Sequence, residues 1–377
     1  MSLRLWIPTL LFVFVFMPKA AKAEDIGFSV RALGMGNAYT AIVNDSDSIF
    51  YNPAGLGKMK GFNWNILDLG LGANKVESYQ DFLDVIEDSS DVSTIINELY
   101  GKEVSVYLGG KSILSIGGFS FGAYGLSDLN LQVNNPVYPN INSQVRLDLA
   151  YVAGWGMELV PDILHVGLLG RRVVRQGGRI PIGVSTIANL NSQAIVDELS
   201  RKGLGYAVDF GATVSLPGVF RPTLSYTWRD VGNTTFRPTG SELPPQAVEQ
   251  EQILGFGATF ESTLMDIRPA VDFRHLTATQ IPFGQRLNFG IEFSWPILDV
   301  RGGFHQGYYT LGAGFDLWLM RVDAATYGVE LGQYPGQLED RRYMLQLTFE
   351  FGVDPGNFSF LKLERPSVRQ HGRKLRR

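Results

Sequence analysis

The stretch 145–159, VRLDLAYVAGWGMEL, decides the fold. Val145, Leu147, Leu149, Tyr151, Ala153, Trp155, Met157 and Leu159 occupy every second position. Between them stand Arg146, Asp148, Ala150, Val152, Gly154, Gly156 and Glu158. Successive side chains of a strand point to opposite faces, so one face is wholly apolar and the other small or charged. The stretch far exceeds an ordinary strand of roughly 5–6 residues. It also exceeds the roughly 9–11 residues that a tilted strand needs to cross a bilayer.

The same alternation recurs at Leu204 to Leu216, Phe220 to Trp228, Ile267 to His275, Leu287 to Trp295 and Tyr343 to Phe351. Fourteen segments read this way: 61–71, 102–109, 113–125, 144–159, 162–174, 203–216, 219–230, 251–262, 265–276, 284–297, 298–305, 307–317, 318–330 and 340–352. The expected fold class is all-β, a transmembrane antiparallel β-barrel of about 14 strands. Composition agrees, with 43 Gly, 24 Phe, 15 Tyr and 6 Trp against 19% charged residues. After the first twenty-odd residues no apolar run is long enough for a membrane helix. A chain of 377 residues would ordinarily split into two domains, but a barrel absorbs that length as one unit.

Tight turns are read at Pro161-Asp162, Pro217-Gly218, Thr263-Leu264, Pro296-Ile297 and near Trp318. Longer connections fall at 72–101, 126–143, 175–202, 231–250 and 331–339. Short and long connections alternate in outer-membrane barrels, with short turns in the periplasm and long loops outside. His305-Gln306-Gly307 is the short exception on the outer side. Trp64, Trp155, Trp295 and Trp318 fall near the periplasmic interface and Trp228 near the outer one. Residues 78–99 and 187–201 carry helical periodicity and read as short amphipathic helices in extracellular loops.

Residues 1–23 read as a signal peptide: Arg4, the apolar run Leu5 to Met17, and the cleavage site Ala21-Lys22-Ala23. Without Arg4, Lys19 and Lys22, 30 basic residues face 37 acidic ones, a net charge of −7. There is no Cys, which excludes disulfides, thiolate metal sites and cysteine nucleophiles. The four His (His165, His275, His305, His371) lie far apart, and no metal site is expected. Residues 353–377 hold seven Lys/Arg against Asp354 and Glu364. They read as a basic periplasmic tail, solvated or touching anionic lipid or a protein partner. The expected division is 1–23 signal peptide, 24–60 plug, 61–352 transmembrane barrel and 353–377 tail.

The stretch between leader and barrel contains ALGMGNAYTA (32–41), then Asn44-Asp45, then Phe50-Tyr51-Asn52-Pro53-Ala54-Gly55-Leu56. In water it would expose Ile42, Val43, Ile49, Phe50 and Tyr51. Folded into the lumen as a plug it buries them, and Asn-Pro-Ala-Gly favours a tight turn. These residues resemble the N-terminal hatch of FadL-type outer-membrane transporters, closest to the PorV-like and FadL-like branch. The resemblance covers the leader, the hatch and, loosely, the barrel. It implies a fourteen-stranded barrel with an N-terminal plug in the bacterial outer membrane. FadL-type members take up hydrophobic molecules such as long-chain fatty acids, whereas PorV-like members serve protein secretion as binding or assembly partners.

The expected function is passive uptake of small hydrophobic molecules, with Asn52, Pro53, Ala54 and Gly55 as the plug or gate. A gap in the wall is an alternative exit. Alternation turns Arg146, Asp148, Arg221, Arg229, Asp266, Arg268, Asp272, Arg274, Arg286, Glu292, Arg342 and Glu350 toward the lumen. Mixed signs suggest a salt-bridged lattice, or an Arg that binds a substrate carboxylate. No cofactor and no nucleic-acid partner is expected. Gly118-Phe119-Ser120-Phe121-Gly122 matches G-x-S-x-G, but it sits within a strand pattern rather than a strand–turn–helix, so no enzyme is expected.

Overall fold

The computed structural model describes residues 29–74, 103–134, 140–183, 200–240, 243–317, 319–332 and 334–353. The expected leader, the tail beyond Val353, Trp318 and the helical stretches at 78–99 and 187–199 lie outside these residues. No helix among the described residues is long and apolar enough to cross a membrane.

Sixteen strands follow one another: β1 (Phe62–Asn74), β2 (Glu103–Ile116), β3 (Phe119–Asn134), β4 (Asn140–Val160), β5 (Leu164–Gly183), β6 (Lys202–Ser215), β7 (Thr223–Arg229), β8 (Phe236–Pro238), β9 (Glu251–Gly257), β10 (Phe260–Glu261), β11 (Asp266–Phe273), β12 (Leu287–Ser294), β13 (Leu298–His305), β14 (Tyr308–Leu317), β15 (Met320–Glu330) and β16 (Glu339–Val353). β9 and β10 face β11 in one register, Gly257 opposite Ala270 and Phe260 opposite Ile267, so they form one interrupted stave. β8 lies off the ring and pairs with β6. β16 pairs with β1 from Val353 opposite Phe62 to Arg342 opposite Asn74, which closes a ring of fourteen antiparallel staves.

Burial in this ring is inside out. Along β6, Tyr206 and Val208 are 67% and 52% exposed while Asp209 and Thr213 are 2% and 1% exposed. Leu149, Tyr151, Leu168, Phe256, Phe304, Leu311 and Leu345 continue the apolar exterior around the wall. Hydrocarbon demands such an exterior, and it demands a closed ring because every backbone N–H and C=O must find a partner within the wall. This is the architecture of a bacterial outer-membrane barrel. Trp64 and Trp155 lie exposed near the short-turn end, and Phe119 stacks on Trp155 with centroids 6.0 Å apart. Such aromatics suit an interfacial girdle.

Several strand boundaries differ from the periodicity. A break was expected between 109 and 113, but β2 runs through Gly109-Gly110 and turns at Gly117-Gly118. That pair has φ of +55° and +88°, the left-handed conformation a tight turn requires and glycine supplies freely. The expected loop 126–143 is mostly strand, because β3 and β4 stay paired out to Asn134 and Asn140. β5 likewise reaches Gly183, past the expected end at 174. Beyond the bilayer the outward face no longer needs apolar residues, so the alternation fades while the hydrogen-bond ladder continues. Three expected lumen-facing residues lie outside strands: Arg221 in the β6–β7 turn, Arg274 just past the end of β11, and Arg286 at the end of α3 (Phe283–Arg286).

Residues 29–59 lie inside the ring. They form α1 (Val30–Gly34), α2 (Ser48–Tyr51) and a 3₁₀ turn at Pro53–Lys58. The Ser29 hydroxyl caps α1 by accepting from the Ala32 N–H, and the Asn52 side chain does the same for Ala54. Met35, Tyr39, Ile49 and Leu56 are fully buried. Sequestering such side chains from water drives the segment inward.

Candidate functional site

The inner segment meets the wall at two places. At the first, α1 and the residues after it face β11 to β16. The Arg31 guanidinium donates to both oxygens of Glu292 (Nε 2.8 Å, Nη2 2.6 Å) and to Asp45 (2.8 Å). Glu292 also accepts from Arg268 (2.8 Å) and Arg301 (2.7 Å). Arg301 continues to Asp323 (2.7 Å) and Asp299 (3.2 Å), and Arg321 joins those two carboxylates again. The Asp272 carboxylate accepts from the Tyr39 N–H (2.9 Å), the Thr40 N–H (3.0 Å) and the Thr40 hydroxyl (2.7 Å). The Val30 N–H donates to Gln346 Oε1 (2.8 Å).

At the second place, the 3₁₀ turn lies on β4 to β6. Asn52 Nδ2 donates to the Thr40 carbonyl (2.9 Å) and the Thr213 hydroxyl (3.1 Å), and its Oδ1 accepts from Ala54 N–H (3.0 Å). The wall beneath is glycine. A Cβ on Gly211 would strike the Asn52 side chain, one on Gly167 the Pro53 carbonyl, and one on Gly156 the Gly57 nitrogen. Two backbones approach this closely only where no side chain intervenes. The four expected gate residues, Asn52 to Gly55, are therefore buried and packed directly on the wall.

Between the two places Asp47 sits beside the Lys111 ammonium, which also lies 3.2 Å from Asp68 and 5.4 Å over the Phe50 ring. Burial pushes the Asp47 carboxyl up to about 6, against the pull of Lys111. On the β2–β5 side the lumen face carries apolar side chains among charged ones such as Arg171 and Asp148. Ile113, Tyr124, Val152, Leu169 and Val173 form one cluster with Phe50, Tyr51 and Leu56 of the inner segment, and Phe236 of β8 joins it. The Arg175 guanidinium lies 4.9 Å above the Phe236 ring.

Of the lumen-facing residues read from sequence, Arg146, Asp148, Arg268, Asp272, Arg274 and Glu292 are buried on the inner face. They do not converge on one site. Arg268 and Glu292 share the network of Arg31, and Asp272 grips Tyr39 and Thr40. Arg274 pairs with Glu251 (2.9 Å), Arg146 with Asp128 (3.1 Å) and Asp148 with Arg175 (2.7 Å). Sequence reading missed Arg31, Arg301 and Asp323. Arg31 carried a signal, since a lone guanidinium in a segment bound for a lumen must find a carboxylate there.

Ser120 of the G-x-S-x-G match lies within β3 opposite Gly154, its hydroxyl 2.6 Å from that of Ser115. Among the described residues no group of three or more His, Asp or Glu could hold a metal ion.

No family model matches the chain, and no curated protein matches it. Solved structures do. The toluene transporter TbuX of Ralstonia pickettii is 13% identical with a TM-score of 0.48, over 87% of this chain and 98% of that one. The toluene transporter TodX of Pseudomonas putida is 11% identical with a TM-score of 0.48, over 88% and 99%. A Pseudomonas aeruginosa FadL homologue is 11% identical with a TM-score of 0.46, over 85% and 96%.

Proposed function

We propose that the chain is an outer-membrane transporter for small hydrophobic molecules, with residues 29–59 as the plug of its barrel. The observation that carries this reading is the cluster of apolar side chains that β2–β5 and Phe236 turn inward against Phe50, Tyr51 and Leu56. The lumen of an outer-membrane barrel is ordinarily polar, so an apolar cluster against a plug supports apolar cargo. The solved proteins similar in shape include toluene transporters and a monoaromatic hydrocarbon channel. Long-chain fatty acids, which the hatch motif suggests, share that chemistry with a longer tail. Passage needs no energy source, because the cargo runs down its own gradient.

The test exploits the absence of cysteine. The Thr40 and Ser225 hydroxyl oxygens lie 3.2 Å apart, so Thr40→Cys with Ser225→Cys can tether the plug to β7. Cells carrying the tethered protein should take up radiolabelled toluene or oleate more slowly than wild type, and reductant should restore the rate. Equal uptake by tethered, reduced and wild-type protein would refute plug-gated transport. A stoichiometric surface protein co-purifying with the barrel, with no uptake of either probe, would move the reading to a PorV-like assembly role.

A further inference from the structure

The lumen wall has a second course, which shares β2 with the apolar cluster. Across β16, β1 and β2 the inward residues stack in rows. Thr348, Asp68 and Lys111 form the row nearest the short-turn end; Gln346, Gly70 and Gly109 come next, then Met344, Gly72 and Tyr107. Arg342 and Asn74 lead the row above them. Two successive rows have glycine at the centre, so the wall there has no side chains of its own. The Met344 thioether lies against Gly72, and the Tyr107 ring lies over Gly70 and Gly109.

Three spaces line up along these rows. An outer one is bounded by Asp128, Arg146 and Arg342 together with Tyr107 and Met344. A middle one, the narrowest, is bounded by the same Tyr107 and Met344, with Val30, Asp68 and Gln346. The third and widest shares Asp68 and Gln346 and lies toward the short-turn end. Adjacent spaces thus share the very side chains that separate them. The inner segment reaches the middle space only through Val30.

We propose that this course is a conduit for water and small cations that runs between the plug and the wall, and that Tyr107 and Met344 form its constriction. Both are long side chains lying on glycine, and each can swing aside by a change of rotamer without moving backbone. The bias toward cations follows from the lining. Six carboxyl side chains bound the third space against the guanidiniums of Arg31, Arg268 and Arg321. At the outer end Asp128 and Asp340 offset Arg146 and Arg342. A ring with excess carboxylate favours cation entry.

The test is conductance of the full-length barrel in planar lipid bilayers under a potassium chloride gradient. Tyr107→Ala with Met344→Ala should raise conductance at least several-fold, with a reversal potential of cation-selective sign. The rise should persist when the Thr40→Cys/Ser225→Cys tether holds the plug in place. Met344→Cys should react with a charged methanethiosulfonate reagent from either side of the bilayer, and the reaction should lower the conductance. Retained heat-modifiable migration in gels confirms that each variant is folded. Unchanged conductance in the folded double variant, anion selectivity, or loss of the rise on tethering would each overturn the proposal.

Discussion

Residues 30–40 meet the barrel at β11 to β16 through charged and hydrogen-bonding side chains, whereas residues 52–57 meet it at β4 to β6 mainly through backbone laid on glycine. The first contact is chemical. It needs particular groups, and each buried guanidinium there depends on a carboxylate from another element. The second is mainly steric. Apart from the Thr213 hydroxyl that accepts from Asn52, it needs only that the wall have no Cβ. A charged anchor fails when one partner is removed; a steric anchor fails when one carbon is added. The same thirty residues are thus held by two devices that respond to opposite kinds of change.

Removing the hub of the charged anchor should have the largest effect. Glu292→Ala leaves Arg31, Arg268 and Arg301 without their shared acceptor. Breaking a buried pair in this way costs about 3–5 kcal/mol. Urea unfolding in detergent, followed by tryptophan fluorescence, measures it. A loss below about 1 kcal/mol would mean that the network contributes nothing a hydrophobic contact could not.

On the steric side, Gly167→Val should cost about 1–3 kcal/mol by overpacking. It should also lift Pro53 from the wall and expose the 3₁₀ turn to proteases added from the short-turn side. Gly170→Ala is the control, since its added carbon would meet nothing closer than the Ala153 carbonyl at 3.8 Å. Equal protease sensitivity in both variants would remove the distinction between the two anchors.

Asn52→Ala sharpens the comparison, because Asn52 is the one hydrogen-bonding side chain of the steric anchor. It should cost about 1–2 kcal/mol, for a lost cap and two lost donors. The smallest effect expected is with pH. The Asp47 carboxyl is raised to about 6 in the folded chain, so its contribution is fully present below the ordinary carboxylate range and is lost as pH rises through about 6. Wild type should therefore lose a little stability between pH 4 and pH 7 relative to Asp47→Asn. A gain over that window would show that the Lys111 pair outweighs burial.

The fourteen staves were legible because lipid imposes a period of two on every one of them. Their outer ends were not, because the hydrogen-bond ladder runs on to Asn134 and Asn140, past the stretch in which the letters alternate. Gly109-Gly110 and Gly117-Gly118 look alike as letters; only pairing partners decide which of them turns. Of the inner face, alternation identified Glu292 and Arg268 as lumen residues. It could not say that Arg31, some 260 residues earlier, would be their partner, since that contact depends on where the ring closes. The glycines of β4 to β6 were visible as composition, but their use as a seat appears only when a second backbone lies on them.

Ring closure between β1 and β16 also sets a timetable. The segment that fills the barrel precedes β1 in the chain, yet Val30 hydrogen-bonds Gln346, 316 residues later. Its other partners at the charged anchor, Asp272 and Glu292, also lie in the last third of the sequence. A chain made and delivered from its N-terminus therefore carries this segment without those partners until nearly all of it has arrived. Contacts so distant in sequence form slowly, because a long loop must close before any of them is made. Until that seam is sealed, Ile49, Phe50 and Tyr51 have no finished lumen in which to bury themselves.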